Sequence, residues 1–101
     1  MPAYVIVNVT VHDPARYEEY KRLATPTIPV YGGRYVARGG AVEIREGGWS
    51  PERLVILEFP NLERARAWWS SPEYAEAKKL RHATATSRML LVEGLPPGWT
   101  P

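Results

Sequence analysis

Apolar residues alternate with other residues over four stretches of the chain, and this alternation predicts four β-strands. The first stretch, 4–11, carries a valine at every second position. The second is short and covers 34–38, and the last covers 86–93. The third, 53–59, is apolar on both faces apart from Glu58, which is typical of a strand in the middle of a sheet.

Two regions between these strands have the spacing of apolar residues that is typical of helices. Asp13-Pro14 and Ser71-Pro72 each combine a capping side chain with a proline at the first helical position, and Asn61 is a further capping residue. Gly32-Gly33 is expected to end the first helical region, because glycine tolerates the left-handed conformation of a helix C-terminus. The chain therefore reads strand, helix, strand, strand, helix, strand.

This order predicts an α+β, ferredoxin-like βαββαβ fold, with a four-stranded antiparallel sheet and the helices on one face. We expect one domain over 1–95 and a proline-rich tail over 96–101. The other face of the sheet would then be uncovered, although neither face is polar enough to lie in water. We therefore predict that two sheets pack together in a homodimer. The residues expected on these faces are Tyr4, Ile6, Leu54, Ile56, Leu90 and Val92.

Composition narrows the range of functions. The 101 residues include 13 basic and 11 acidic side chains, which are interspersed and do not form the basic stripe that nucleic-acid binding requires. There is no cysteine and only two histidines, so we expect neither a metal nor a cofactor. No apolar run approaches the roughly 18 to 20 residues of a membrane span, and we expect a cytoplasmic protein.

The strongest chemical signal is a pair of arginines between two glycine pairs, in the run Tyr31-Gly32-Gly33-Arg34 to Arg38-Gly39-Gly40. Strict alternation along a strand predicts that Arg34 and Arg38 share one face, where two guanidinium groups can bind a carboxylate or a phosphate. The alternative is structural: one arginine pairs with Glu58 on the neighbouring strand and the other lies in solvent.

From these signals we predict a ligand site in a cleft beside the sheet. Arg34, Arg38 and Arg81 would supply positive charge. The side chains expected to orient the ligand are Asn8, Tyr31 and Tyr74. As candidates for proton transfer we take Glu58, which is otherwise a salt-bridge partner, and His12, which otherwise closes a loop. The remaining aromatic residues on the helices, among them Tyr17 and Tyr20, are expected to belong mainly to the core.

Several short motifs in a fixed order resemble a known family. They are Asp13-Pro14, Tyr31-Gly32-Gly33-Arg34, Arg38-Gly39-Gly40, Glu58-Phe59-Pro60, Ser71-Pro72-Glu73-Tyr74 and Glu93-Gly94. In this order, over 4–94, the chain resembles the bacterial family known as domain of unknown function 1330 (DUF1330), in the dimeric α/β-barrel superfamily. The resemblance implies a homodimer whose two sheets form a barrel with the helices outside. It implies no activity.

Three functions follow as hypotheses. The first is a small homodimeric protein that binds a small anionic or aromatic molecule. The second is a cofactor-independent monooxygenase or isomerase, since related branches of the superfamily include such enzymes. The third is a purely structural or interaction protein, in which the arginines form surface ion pairs.

Overall fold

The computed structural model describes residues 1–101 and contains four strands and four helices. The predicted order is confirmed, with each predicted helical region divided into two helices. In chain order the elements are β1 (Ala3–Val11), α1 (Pro14–Ala24), α2 (Thr27–Val30), β2 (Arg34–Arg38), β3 (Leu54–Phe59), α3 (Leu62–Trp69), α4 (Pro72–Thr84) and β4 (Ala85–Glu93).

The four strands form one antiparallel sheet in the order β2-β3-β1-β4. The central strands are therefore β1 and β3, as the apolar character of 53–59 predicted. Val5 in β1 lies opposite Leu57 in β3 and Leu91 in β4. The fold is the predicted α+β, ferredoxin-like arrangement.

Three of the four helices, α1, α3 and α4, begin at the predicted caps. Asp13 accepts a hydrogen bond from the amide of Arg16 (3.2 Å), and Asn61 accepts one from the amide of Arg64 (2.8 Å). Ser71 accepts from an amide in the first turn of α4 in the same way. Each bond satisfies one of the amides left free at a helix start. The longest helix, α4, has 13 residues, and no helix is long and apolar enough to cross a membrane.

The helices cover one face of the sheet, which we call the covered face. Its strand side chains pack against an aromatic stack in which Trp68 lies between Phe59 and Tyr74, with ring centroids 5.5 Å and 4.2 Å apart. All three rings are buried. The indole N–H of Trp68 donates to Thr27 Oγ1 over 3.0 Å, which fixes α2 against α3.

The opposite face, which we call the open face, has no helices on it. Leu90 and Val92 on β4 remain 55% and 44% exposed, and Ile6 and Ile56 on the central strands are partly exposed. The chain measures only 16 Å along its shortest axis, which corresponds to one sheet and one helical layer. A single chain therefore leaves an apolar surface in water.

A β-bulge in β2 changes one prediction. The register shifts between Tyr35 and Ala37, so that Arg34 lies opposite Glu58 whereas Arg38 lies opposite Val55. Val55 is buried on the covered face, and Glu58 points to the open face. The prediction that Arg34 and Arg38 share a face is wrong, because the extra residue of a bulge interrupts the alternation.

Candidate functional site

A small space, which we call the inner cavity, lies between the covered face and the helices. Its volume is about 30 Å³, which is enough for about two water-sized groups. Much of the lining is apolar and comes from Val7, Val9, Ile28, Val55, Leu57, Trp68 and Met89. The polar lining consists of phenols and cationic groups only: Tyr17, Tyr20, Lys21, Tyr35, Arg38, Arg53 and Arg81.

Arg81, on α4, is a buried cation without an acidic partner. It is 2% exposed and takes part in none of the ion pairs of the chain. Its Nε donates to the hydroxyl of Tyr74 (3.3 Å) and its Nη1 to the hydroxyl of Ser87. Its Nη2 is buried and has no partner. A buried guanidinium held only by neutral groups is costly to the fold, and an anion beside it would offset that cost.

Arg53 brings a second guanidinium to the inner cavity from the residue before β3. Its Nε is buried and without a partner. The backbone of Gly39 passes close to this side chain, with a φ of +67° that favours glycine. A Cβ atom at position 39 would lie 2.6 Å from Nη1 of Arg53. The absence of a Cβ atom at position 39 therefore leaves space for the side chain of Arg53.

Arg38 is the third guanidinium, and the bulge in β2 directs it to this side of the sheet. It lies over the ring of Tyr35, with Cζ 4.5 Å from the ring centroid, and Nη2 donates a long hydrogen bond to Thr25 Oγ1 (3.4 Å). Arg38 is exposed, in contrast to Arg81. Because its hydrogen bond is weak, Arg38 is the most easily displaced of the three guanidiniums.

The phenols of the cavity are hydrogen-bond donors. Tyr20 and Tyr74 hydroxyls lie 3.0 Å apart, and Tyr74 accepts from Arg81. Either hydroxyl can donate to the other, because a phenol oxygen accepts more than one hydrogen bond. Burial raises the pKa of Tyr20 far above its usual value, and the adjacent Tyr74 raises it further. Burial likewise raises the pKa of Tyr17. Both phenols stay protonated at neutral pH.

No carboxylate or imidazole lines the inner cavity. Lys21 is neutralised by Glu18 on the same helix, at 2.6 Å. The three arginines have no such neighbour, so their charge is uncompensated. Guanidinium groups bind carboxylates through paired, charge-assisted hydrogen bonds, and the phenols add neutral donors. This arrangement is suited to a small anion.

The structure brings together only part of the predicted site. Arg81 and Arg38 line the inner cavity, and Tyr74 supports it from behind. Arg34 lies on the open face, where its Nε and Nη2 both lie 3.0 Å from Oε1 of Glu58. The pairing with Glu58 that the structural alternative expects is therefore present for Arg34. Tyr4 on β1 lies beside Glu58 on the same face, and hydrogen bonding to Glu58 raises the pKa of the Tyr4 phenol.

The other predicted residues lie apart from the inner cavity. Tyr31 donates to Glu73 on α4 (2.6 Å), and this carboxylate raises the pKa of the phenol. His12 is exposed, with Nε2 at 2.6 Å from Thr86 Oγ1. Asn8 lies on the open face. No three His, Asp or Glu side chains converge where they could share a metal ion.

Sequence reasoning missed Arg53. It assigned Tyr17 and Tyr20 to the core, and Tyr17 is a core residue against which Tyr20 packs, although both also line the inner cavity. A signal for Arg53 was present in the sequence. Arg53 lies two positions before Val55 and four before Leu57, and every second residue of a strand points to the same face. Tyr17 and Tyr20 have no such signal. Helical spacing predicts that a side chain is buried, but it does not distinguish a phenol packed in the core from one that lines a cavity.

Comparison with solved structures shows where this fold occurs. A protein of unknown function from Rhodopseudomonas palustris is 23% identical, with a TM-score of 0.74 over 95% of this chain and 84% of that one. A dimeric ferredoxin-like protein of unknown function from Jannaschia sp. CCS1 is 12% identical, with a TM-score of 0.72 over 93% of this chain and 100% of that one.

SnoaB, a cofactor-independent oxygenase from Streptomyces nogalater, is 17% identical, with a TM-score of 0.67 and 96% of both chains covered. At these identities the likeness shows a shared fold and no more. No protein with a curated description matches the chain. A family model described as "Domain of unknown function (DUF1330)" matches residues 2–95. The match confirms the resemblance seen in the sequence, and the chain belongs to the DUF1330 family.

Proposed function

We propose that this protein is a homodimer that binds a small carboxylate anion in the inner cavity of each chain. The observation that carries the proposal is Arg81, which is buried, has no acidic partner and has one terminal NH2 group, Nη2, without an acceptor. Arg53 also has an Nε without an acceptor, and the phenols of Tyr17 and Tyr20 line the same cavity. Together they offer one anion several donors within a single apolar enclosure.

The size of the cavity restricts what enters it. A volume of about 30 Å³ accommodates a carboxylate group but no ring. The remainder of a larger ligand would extend past Arg38, whose weak contact to Thr25 allows it to move. Arg38 would then close over the ligand, with Tyr35 beneath it offering an aromatic surface. Aromatic acids are therefore included in the proposed class.

The homodimer is supported by the open face. It carries exposed Leu90 and Val92 beside the partly exposed Ile6 and Ile56, and neighbouring exposed apolar side chains of this kind are typical of a contact surface between proteins. A protein of the same fold from Jannaschia sp. CCS1 is described as dimeric. Packing of two open faces would bury this surface in both chains.

Thermal unfolding with matched ligands tests the anion site. Acetate and benzoate are compared with acetamide and benzamide, which have nearly the same shape and no charge, at constant ionic strength. We expect the carboxylates to raise the melting temperature in a saturable way, because a ligand that binds only the folded state stabilises it. The neutral amides should have no such effect.

Variants locate the site. Arg81→Gln and Arg53→Gln should each abolish the response to the carboxylates. Arg66→Gln removes an equal charge from the exposed face of α3, where the side chain has no ion pair, and should respond like the unaltered protein. Equal responses of all three variants, or equal effects of acetate and acetamide, would contradict the proposal.

A second candidate function is cofactor-independent oxygenation. It is supported by the fold shared with SnoaB and by the aromatic side chains that line the inner cavity. It ranks second because no carboxylate or imidazole lines that cavity to accept a proton from a substrate. Oxygen consumption by metal-free protein with quinol-like substrates would support it. If it is an enzyme of this kind, Glu58 or His12 would have to act outside the inner cavity.

A further inference from the structure

The strands direct three charged side chains to the open face, and one of these has no partner in its own chain. Arg34 on β2 pairs with Glu58 on β3. Arg88 on β4 is exposed and takes part in none of the ion pairs of the chain. Glu58 is the only acidic side chain that strand alternation places on this face. A homodimer that buries the open face must therefore accommodate the charge of Arg88.

Burial of Arg88 without an acid would oppose contact between two chains. A guanidinium group loses hydration when a second sheet covers it, and only an opposite charge or new acceptors offset that loss. The neighbours of Arg88 on this face, Asn8 and Leu90, are neutral. A carboxylate for Arg88 must therefore come from the partner chain.

The register of the sheet places Arg88 and Glu58 symmetrically about Ile6, which lies near the middle of the open face. Arg88 lies on β4 opposite Asn8, two residues after Ile6 in β1. Glu58 lies on β3 opposite Tyr4, two residues before Ile6. Strands β3 and β4 flank β1 on opposite sides. With about 4.8 Å between strands and about 3.3 Å per residue, each charged residue lies about 8 Å from Ile6.

This symmetry is the kind that a two-fold axis exchanges, and a homodimer of two chains has such an axis. We consider an axis midway between the two sheets that passes over Ile6 at a right angle to the line from Arg88 to Glu58. It places Arg88 of each chain over Glu58 of the other. The sheets would lie about 10 Å apart, a gap that the two long side chains can bridge together. The strands of the two sheets would cross at roughly 70°, close to the orthogonal class of sheet packing.

Glu58 is able to accept a second guanidinium group. Both contacts from Arg34 go to Oε1, at 3.0 Å. A carboxylate offers about four acceptor sites on its two oxygens, so another donor can bind. The side chain of Arg34 is 68% exposed, compared with 26% for that of Glu58. Arg34 therefore lies at the rim of the face, where it orients Glu58 from the solvent side.

The shape of the open face also permits this approach. A depression with a volume of about 570 Å³ lies beside Arg88. Its strand walls are Ile6, Asn8, Leu54, Arg88 and Leu90. The axis that pairs Arg88 with Glu58 also brings Ile56 of the partner chain over this depression. An apolar side chain would thus fill the space while the carboxylate two residues further along β3 reaches the guanidinium.

We infer that reciprocal ion pairs, between Arg88 of one chain and Glu58 of the other, fix the register of the homodimer. The inference rests on the homodimer of the proposed function and is independent of anion binding at Arg81. Apolar residues provide most of the contact area, and they would allow two sheets to meet in several orientations. The two ion pairs select one of these orientations, because every other one buries Arg88 without an acid.

Charge reversal in separate chains tests this inference. Arg88→Glu brings two acids together at each contact, and Glu58→Arg brings two arginines together. Each variant alone should dimerise at least about a hundredfold more weakly than the parent protein, because the repulsion occurs twice in a symmetric dimer. An equal mixture of the two variants should form a heterodimer, in which both contacts pair opposite charges. Native mass spectrometry distinguishes this heterodimer from both homodimers by mass.

Two controls separate the contact from effects within one chain. Arg66→Glu reverses a charge on the exposed side of α3, so it should dimerise like the parent protein and should not select the Glu58→Arg chain. Glu58→Arg also breaks the pair with Arg34, so a milder cycle uses Arg88→Gln, Glu58→Gln and the double variant. Arg88→Gln should weaken the dimer about tenfold and have almost no further effect once position 58 is glutamine.

Sedimentation velocity over a range of concentrations gives the dissociation constants. Selective formation of the heterodimer supports the inference. Unchanged dimerisation of Arg88→Glu, or a mixture with no more heterodimer than random pairing gives, would overturn it and leave the homodimer in place. A parent protein that sediments as a monomer would overturn both. Arg88→Glu should still respond to acetate like the parent protein, because the inner cavity lies on the other side of the sheet.

Discussion

The covered face and the open face of the sheet carry different side chains, and neither set is the one that would best stabilise a single chain. The covered face, under the helices, contains guanidinium groups without acidic partners. The open face, in water, presents leucine, valine and isoleucine. Each face thus carries groups that would be better placed on the other. The proposed anion site would account for the first departure, and the proposed homodimer would account for the second.

The largest expected effect on stability comes from two adjacent residues of β3, one on each face of the sheet. Leu57 is 3% exposed on the covered face, and Leu57→Ala should lower the free energy of unfolding by about 2 to 5 kcal/mol at any protein concentration. Ile56 lies on the open face, and Ile56→Ala should have a smaller effect in dilute protein. Its effect should grow with concentration, because a dimer contact is lost.

Urea unfolding of both variants, at two protein concentrations about a hundredfold apart, measures this difference. The substitutions are well matched because the residues are adjacent and similar in size. An Ile56→Ala effect that is independent of concentration would show that the open face is not the surface of association.

A smaller effect is expected from two glycines. Gly33 lies against the covered-face core, where an added Cβ would be 2.5 Å from Phe59 Cε1 and 2.9 Å from Ile28 Cγ2. Gly33→Ala should therefore cost about 1 to 3 kcal/mol through overpacking. Gly40, in the loop over 39–53, has no atom within 4 Å of such a Cβ.

Gly40→Ala should leave the protein equally stable or more stable by up to about 1 kcal/mol, because the unfolded chain loses freedom. Thermal unfolding of the pair gives both values. Equal losses at the two positions would indicate that the loop packs as tightly as the core.

The smallest effect concerns His82, next to the buried arginine. Partial burial lowers the pKa of His82 below 6.5, and the charges of Arg81 and Lys78 lower it further. The unfolded chain therefore binds this proton more readily, so the contribution of His82 to stability falls as the pH drops through 6.5 towards the folded value. His82→Gln should be slightly more stable than the parent protein below this range and equal to it at pH values above.

The pKa of His82 also provides a test of anion binding at the neighbouring Arg81. A carboxylate bound at Arg81 would offset the neighbouring positive charge, so titration of His82 by NMR should show a higher pKa in acetate than in acetamide. A pKa that does not respond to acetate, in a protein that acetate stabilises, would indicate that the anion binds elsewhere.

Local patterns in the sequence predict most of this fold. The capping residues Asp13, Asn61 and Ser71 act through neighbours a few positions away, so their role can be recognised from the sequence. The alternating valines of β1 likewise define a face without reference to other strands. The topology follows because few arrangements connect these elements without crossing.

The site was less predictable because it depends on contacts between distant parts of the chain. Nothing in the run around Arg34 and Arg38 marks the bulge that separates them, since it is set by pairing with β3. The isolation of Arg81 is an absence of acids in space, which no local pattern records. Arg53 is the exception, because its position two residues before Val55 predicts the covered face, although the sequence analysis did not use this signal.

The bulge at Val36 has a genetic consequence. Because Val36 is the additional residue between Tyr35 and Ala37, the pairing of β2 with β3 would become regular if its codon were deleted. Tyr35 would still lie opposite Leu57 and Arg38 opposite Val55, so both side chains would keep their faces of the sheet. A three-nucleotide deletion could thereby remove the bulge and leave the third arginine of the inner cavity on the helix side. Families of this fold could gain or lose the bulge in one such step.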